Sequence, residues 1–530
     1  GSGNFLIITY KEIRRLQIKI MKSINSIAYT KISLDQFYGI EIDDFAHEIT
    51  KLSLYLAEHQ MNIELANDLG IVDPTLPLRD SGNIVCGNAT RLNWEEVCPI
   101  KEGDEIYIMG NPPYLGARTQ GREHKDDIEF VFTKFKKFKD LDYISCWFYK
   151  GGNYICNINA KLAFVSTNSI CQGEQVSLLW PKIFENNLEI YFAQTSFKWT
   201  NNAKSNAGVT VVIVGLRNIS SSPKYIIEDA HSKSVNNINV YLSSGSNIFV
   251  ARRTQPLSNL PKMSFGNMAN DNGGLIMNTL EKESIESSFP NAKRLIKKLL
   301  GSQEFINGQE RWCLWIKDED LNEIINIPPI IQRIDKVKKH RLGSKDAGTK
   351  KLSSRSHQFR DLNIAKYSSI IIPRVSSEKR PYIPIGFLDS NTIISDSAQA
   401  IYDPEPWIFG VISSHMHMVW VRAVGGKLKT DLRYSSALCY NTFPIPTLTA
   451  KQKESITALV YDILSAREAH PEKTLAQLYY PDKMPSDLKD AHHALDLEIE
   501  RVYRSKPFTN DEERLEYLFK LYEKMTSEEN

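Results

Sequence analysis

The apolar run Glu105-Ile-Tyr-Ile-Met-Gly110 ends abruptly at Asn111-Pro112-Pro113-Tyr114. Two successive prolines fix φ and carry no N–H, so neither a strand nor a helix can continue through them. The run therefore reads as a short strand that delivers a rigid loop at its carboxyl end. That loop has two readings. It can be a plain strand-to-loop turn capped by Asn. It can also grip a planar, amine-bearing group, with Asn111 and the Pro112 carbonyl accepting from the amine and Tyr114 stacking on the ring.

The same pattern, an apolar run followed by a polar loop, recurs along the first part of the chain. Phe5, Ile8, Ile13, Leu16 and Ile20 recur at roughly helical spacing after the turn Gly1-Ser-Gly3. Phe37-Tyr-Gly-Ile-Glu41-Ile is a short strand closing on an acidic residue, and Asp44 to Gln60 is an amphipathic helix with Phe45, Ile49, Leu52 and Leu56 on its apolar face. Strands follow at Asn83-Ile-Val-Cys86, Lys161–Val165, Leu188–Phe192 and Val209–Val214. Strands alternating with helices, with polar residues gathered after the strands, predict an open α/β sheet with its site at the carboxyl ends of the strands. After about Arg217 the helical rhythm fades and Ser, Asn and Pro become frequent, which predicts a mixed domain running to Pro444 and Pro446. From Ala450 the pattern is helical again, and Asn510 with Glu513 fits a capping box opening the last helix.

A chain of 530 residues is too long for one core and implies about two to four domains. No apolar stretch approaches the roughly eighteen residues of a membrane span, which predicts no membrane partner. The seven cysteines are odd in number, scattered and never spaced C-x-x-C, so they are read as free thiols of a cytoplasmic protein with no metal site. The net charge of +2 hides a basic run: from Arg333 to Arg360 ten Lys or Arg stand against two Asp, a local excess of +8. Interleaved with Gly, Ser and Thr, this run is either a solvated loop or a segment that follows a phosphate backbone.

Taken in order, these loops resemble the S-adenosylmethionine-dependent methyltransferase fold. Gly1-Ser-Gly-Asn-Phe-Leu6 resembles the latter part of the Asp-Pro-Ala-Cys-Gly-Ser-Gly-Asn-Phe-Leu cofactor motif of DNA adenine methyltransferases, and Asn111-Pro-Pro-Tyr114 is similar to their catalytic signature. Phe197-Lys-Trp199-Thr-Asn201 resembles the aromatic motif that packs on an extruded adenine, although aromatics in such a strand also serve as core. Longer segments are similar to the MmeI-like (type IIL/IIG) restriction-modification enzymes of the gamma group. These are Gly39–Glu48, Leu54–Asn62, Asn307–Trp315, Ile372–Pro384, Phe409–Met418, Gly425–Ser435, Tyr440–Pro444, Tyr480–Pro485 and Ala491–Asp496. The resemblance covers nearly the whole chain and implies three parts: a Rossmann-like methyltransferase domain at 1–220, an α+β target-recognition domain at 225–447 and a C-terminal helical domain at 448–530. Two departures stand out: the first four residues of the cofactor motif, and with them the first strand, are missing from the sequence, and no nuclease segment is found here, Pro481-Asp482 having no following Glu-x-Lys.

The resemblance implies transfer of a methyl group from S-adenosylmethionine to the exocyclic amine of an adenine flipped out of double-stranded DNA. Asn111, Pro112, Pro113, Tyr114 and Phe197 are then the catalytic set, and Gly1, Gly3, Asn4, Glu41, Ile42, Asn88 and Ala89 hold the cofactor. Arg374, Lys379, Arg380, Lys427, Lys429 and Arg433 become candidates for phosphate contacts or guanine readout, each also readable as a solubilising charge. The enzyme is expected to act as a monomer. Two rivals remain: a methyltransferase acting on RNA or on protein glutamine, and a DNA-recognition fragment that is inactive as an enzyme.

Overall fold

The computed structural model describes residues 3–24, 32–71, 82–199, 209–428 and 430–529. They divide into two compact units, one made of residues up to Cys171 with Gln175–Phe249, the other of Gln172–Glu174 with Val250–Asn530. All seven cysteines are free, and among the described residues no helix is long and apolar enough to cross a membrane.

The first unit is an α/β structure. Strands β1 (Tyr38–Glu41) and β2 (Asn83–Cys86) form a parallel pair, and β3 (Ile106–Gly110), β4 (Ala160–Thr167), β5 (Leu188–Trp199), β6 (Val209–Asn218), β7 (Lys224–Glu228) and β8 (His231–Val235) form a second sheet in the order β3-β4-β6-β5-β7-β8. All six strands expected from the sequence are present. The sheet also continues past residue 225 through β7 and β8. Because β3 runs parallel to β4, and β6 runs antiparallel to both β4 and β5, the carboxyl ends of β3, β4 and β5 share one edge. Behind that edge Phe148, Phe164, Trp180, Val212, Val214 and Leu216 close the core.

Helices α1 (Asn4–Ile24) and α2 (Asp44–Leu69) form where the periodicity placed them, but they bury other faces. The predicted apolar stripe of α1, from Phe5 to Ile20, points outward, as do Phe45, Leu52 and Leu56 of α2; Phe45 is 73% exposed. The buried faces carry Tyr10, Arg14, Ile18 and Met21 on α1, and Leu54, Ala57, Met61 and Leu65 on α2. Both helices are apolar on two sides, and the helix-to-helix contact selects the side that can bury Arg14 against Asn62 Oδ1 at 2.9 Å. Gly3 permits the approach, since its φ is +74° and a Cβ there would stand 2.5 Å from Thr50 Cγ2.

The second unit is α+β. One four-stranded sheet is centred on Ser368–Pro373, whose Ile370, Ile371 and Ile372 are fully buried, and another joins Ile276–Met277, Trp312–Leu314, Ile296–Leu300 and Thr392–Ile394. The helices Pro406–Ser413 and Ala450–Glu468 meet at Gly410, where any side chain would collide with Ile456. A buried polar cluster ties the last helices to this unit: Tyr382 stacks on His492 at 4.0 Å and donates to Asp496 Oδ2 at 2.5 Å, and Asp496 Oδ1 accepts from the His415 N–H at 2.7 Å. The last helix, Asp511–Glu528, is capped by Asn510, whose side chain accepts from Glu513 N; the Glu513 carboxylate reaches Thr509 and Arg504 rather than the cap's own N–H.

This interior sets an acid sensitivity. Burial pulls His417 from its ordinary 6.5 to about 3 and lowers His492 in the same direction, so each takes up a proton only on unfolding. Below pH 6.5 the unfolded chain therefore binds more protons at these positions, and each such histidine removes stability as pH falls. Asp496, raised by burial to about 6, acts with the opposite sign below that pH. Two histidines outweigh one aspartate, so the second unit should melt several degrees lower at pH 5 than at pH 7.5, and His417→Gln should reduce that difference. Equal melting temperatures at the two pH values would contradict this.

Candidate active site and basic surface

The loop after each strand is fastened by its own side chains. At the end of β1, Glu41 Oε1 accepts from the N–H groups of Ile42 and Asp43 at 3.1 and 3.3 Å, and Asp43 caps α2. Past β2, Asn88 Oδ1 accepts from Thr90 N and Thr90 Oγ1 at 2.9 and 2.7 Å, while its Nδ2 donates to Asp127 Oδ2 at 2.9 Å. The Ala89 carbonyl accepts from Trp94 Nε1 at 2.9 Å. Asp127, on the helix Arg122–Val131, also accepts from the Tyr143 hydroxyl and from Arg91 Nε, both at 2.6 Å. Burial would raise this carboxyl, but the hydrogen bonds from Tyr143, Asn88 and Arg91 outweigh it and hold the group below the usual carboxylate range.

Ile42, Asn88, Arg91, Glu123, His124, Asp127 and Tyr143 line a cavity of about 330 Å³. Its wall carries donors and acceptors together, and His124 Nδ1 is buried there without a partner. Ile42, 69% exposed, offers an apolar face beside them. That combination suits a flat, polar-edged ring. Gly3 and Asn4 stand at the start of α1; Gly1 lies outside the described residues.

Asn111 follows β3 directly and is exposed, Pro112 is buried, Pro113 is exposed, and Tyr114 is half-buried against the sheet core, where burial raises its hydroxyl pKa. The next residue anchors the loop. The Leu115 N–H donates to Asp142 Oδ1 at 2.8 Å, and the Leu115 carbonyl accepts from Tyr143 N and Gln120 Nε2. Gln120 also donates to the Leu141 carbonyl. Burial raises the Asp142 carboxyl above its ordinary range against these bonds. Phe197 lies at a register shift near the end of β5, on the sheet edge that Asn111 occupies. The side chain of Trp199 and all of Asn201 lie outside the described residues. Asp127, Asp142, Gln120 and Tyr143 were not singled out by sequence; only Asp127 lies on a helix, and the other three stand in loops and turns where no periodicity marks them.

In the second unit Val375–Ser376, Gly426–Leu428 and Asp431–Arg433 form a three-stranded sheet, with Arg433 opposite both Val375 and Gly426. It gathers the basic candidates. Lys379 and Arg433 are exposed, Lys427 pairs with Glu378 at 3.5 Å, and Lys429 lies outside the described residues. Arg374 is partly spent on the Asp396 carbonyl at 2.8 Å and on the Phe265 ring at 4.9 Å, and half-buried Arg380 leans on Ser376 Oγ.

The basic run proves helical rather than looped. Pro328–Leu342 is a helix, followed by the short turns Ala347–Lys351 and Leu352–Arg355. Its arginines are largely structural: Arg333 pairs with Glu281, and Arg341 is fully buried with all five N–H groups donating to the carbonyls of Ala269, Asn270, Leu352, Arg355 and Gln358. The lysines 336, 338, 339, 345, 350 and 351 are exposed.

Comparison with known proteins accounts for this layout. The chain matches the family models for the MmeI DNA-methyltransferase domain over residues 1–228, the MmeI target recognition domain over 244–447 and the MmeI C-terminal domain over 448–529. It is 51% identical over 533 residues to DNA methyltransferase A of Bacillus subtilis (strain 168), covering 99% of this chain and 60% of that protein. The chain thus spans well under two thirds of that relative's length. A solved structure of the type IIL restriction-modification enzyme MmeI in complex with DNA superposes with a TM-score of 0.89 at 38% identity, covering 99% of this chain and 72% of that one.

Proposed function

This chain belongs to the MmeI family of type IIL restriction-modification enzymes, and we propose on that footing that it methylates the exocyclic amine of adenine in a specific double-stranded DNA sequence. The observation that carries the reading is the exposed Asn111 carboxamide, set at the end of the edge strand β3 by two prolines and an anchored Leu115. An amine lying between Asn111 Oδ1 and the Pro112 carbonyl donates both hydrogens to the protein, and its lone pair is turned outward. Tyr114 offers a stacking face, and Phe197 closes on the base from another side. Removing the base from the duplex costs a few kcal/mol, which these contacts offset. S-adenosylmethionine supplies an activated methyl group. Glu41, Ile42, Asn88 and Ala89, with Gly1, Gly3 and Asn4, hold that donor, and the mixed donor and acceptor wall of the 330 Å³ cavity suits its adenosine part. With a positioned amine and an activated donor, catalysis is chiefly proximity and orientation.

Duplex DNA is favoured over RNA or protein glutamine by the large target-recognition part and its basic sheet edge. The test is methyl transfer from labelled S-adenosylmethionine to duplex DNA, RNA and a glutamine peptide in parallel; label in RNA or peptide alone would overturn the reading. If the basic edge contacts phosphate, replacing Lys379, Lys427 and Arg433 together by Ala should reduce the slope of log affinity against log salt by about 2 to 3. An unchanged slope would remove these residues from the interface.

A further inference from the structure

Three segments far apart in sequence converge on the carboxylate of Asp127: the loop after β2 through Asn88 and Arg91, the helix Arg122–Val131 that carries Asp127, and Tyr143. The valences around Asn88 are restrictive. Its Oδ1 already accepts two hydrogens from Thr90, and one hydrogen of its Nδ2 goes to Asp127. One N–H therefore remains for the cavity, so Asn88 meets a ligand as a donor and its ligand atom must be an acceptor.

We infer that Asp127 is a positioning residue for cofactor binding: by receiving Asn88 Nδ2 it fixes the amide plane, so that Asn88 presents its remaining N–H to an acceptor nitrogen of the cofactor's adenine ring. This rests on the assignment of Asn88 to the cofactor site. Arg91 and Tyr143 hold the carboxylate in place from its other sides, and all three line the same cavity. The side chain of Asp127 is almost wholly buried, so it acts on the ligand through Asn88.

The test uses the full chain, S-adenosylhomocysteine as calorimetric probe, and steady-state methylation. Asp127→Asn should weaken S-adenosylhomocysteine binding and raise KM for S-adenosylmethionine roughly tenfold, the share of a charge-assisted hydrogen bond, while kcat stays within about twofold. Asn88→Asp sets two carboxylates at hydrogen-bond distance and should bind more weakly still. In the Asn88→Ala background, Asp127→Asn should cost little further affinity, because its effect passes through the Asn88 amide; a merely structural role would make the two losses add. Unchanged binding in Asp127→Asn, a parallel fall of kcat and melting temperature without a KM effect, or losses from Asn88→Ala and Asp127→Asn that simply add would each overturn the inference and leave the cofactor assignment standing. Absence of binding by the unmodified chain would overturn that assignment and this inference with it.

Discussion

Asn111→Ala should lower the rate of methyl transfer to duplex DNA by roughly 10²- to 10³-fold, as expected when one preorganised hydrogen-bonding partner is removed from a reacting group. DNA affinity and S-adenosylhomocysteine affinity should change little. Asn111 is exposed and its loop is fastened through Leu115, Asp142 and Gln120, so the substitution leaves the loop's anchor intact. The loss should therefore lie in kcat. Tyr114→Ala offers the complementary case: it removes a stacking surface worth about 1–3 kcal/mol and should weaken productive base binding. Single-turnover methylation with both variants checks the pair, and a normal rate for Asn111→Ala would remove it from the chemistry.

The second large effect is on stability. Arg341→Met should cost the second unit about 3–5 kcal/mol, because it leaves five carbonyls in a buried site without donors. Arg341→Lys retains the charge but supplies at most three donors, and it should recover only part of the loss. No carboxylate pairs with this guanidinium in the hydrogen bonds it makes, so its burial is sustained by backbone oxygens that bring residues 269–270 against 352–358. Denaturant unfolding followed by tryptophan fluorescence measures the difference. A Met variant as stable as the parent would show that those carbonyls find other partners.

The strands were legible because each is a short apolar run closed by a polar loop, a signal that depends only on neighbouring residues. The faces of α1 and α2 were not legible. Both helices carry apolar residues on two sides, and only tertiary contact decides that Tyr10 and Ile18 turn inward while Leu16 and Ile20 turn outward. The helix within the basic run was not legible, because its charge density masked Ile330, Ile334, Val337 and Arg341, which recur at helical spacing after Pro328-Pro329. Arg341 is the buried member of that stripe, a role that composition alone assigns to solvent. Asn111 and Asn88 could be singled out from the sequence as candidates because they follow strand ends. Asp127, Asp142 and Gln120 were not, since each works through partners at sequence distances from 5 to 39 residues.

The central claim is that a flipped adenine amine in duplex DNA receives the methyl group. The direct measurement is nucleoside analysis by mass spectrometry of duplex DNA treated with the protein and S-adenosylmethionine bearing a deuterated methyl group. The account predicts a deuterated methyl on the exocyclic nitrogen of adenine within one recurrent sequence, and none in DNA treated with Asn111→Ala. Label on cytosine, or none on DNA from a protein that binds the cofactor, would contradict it.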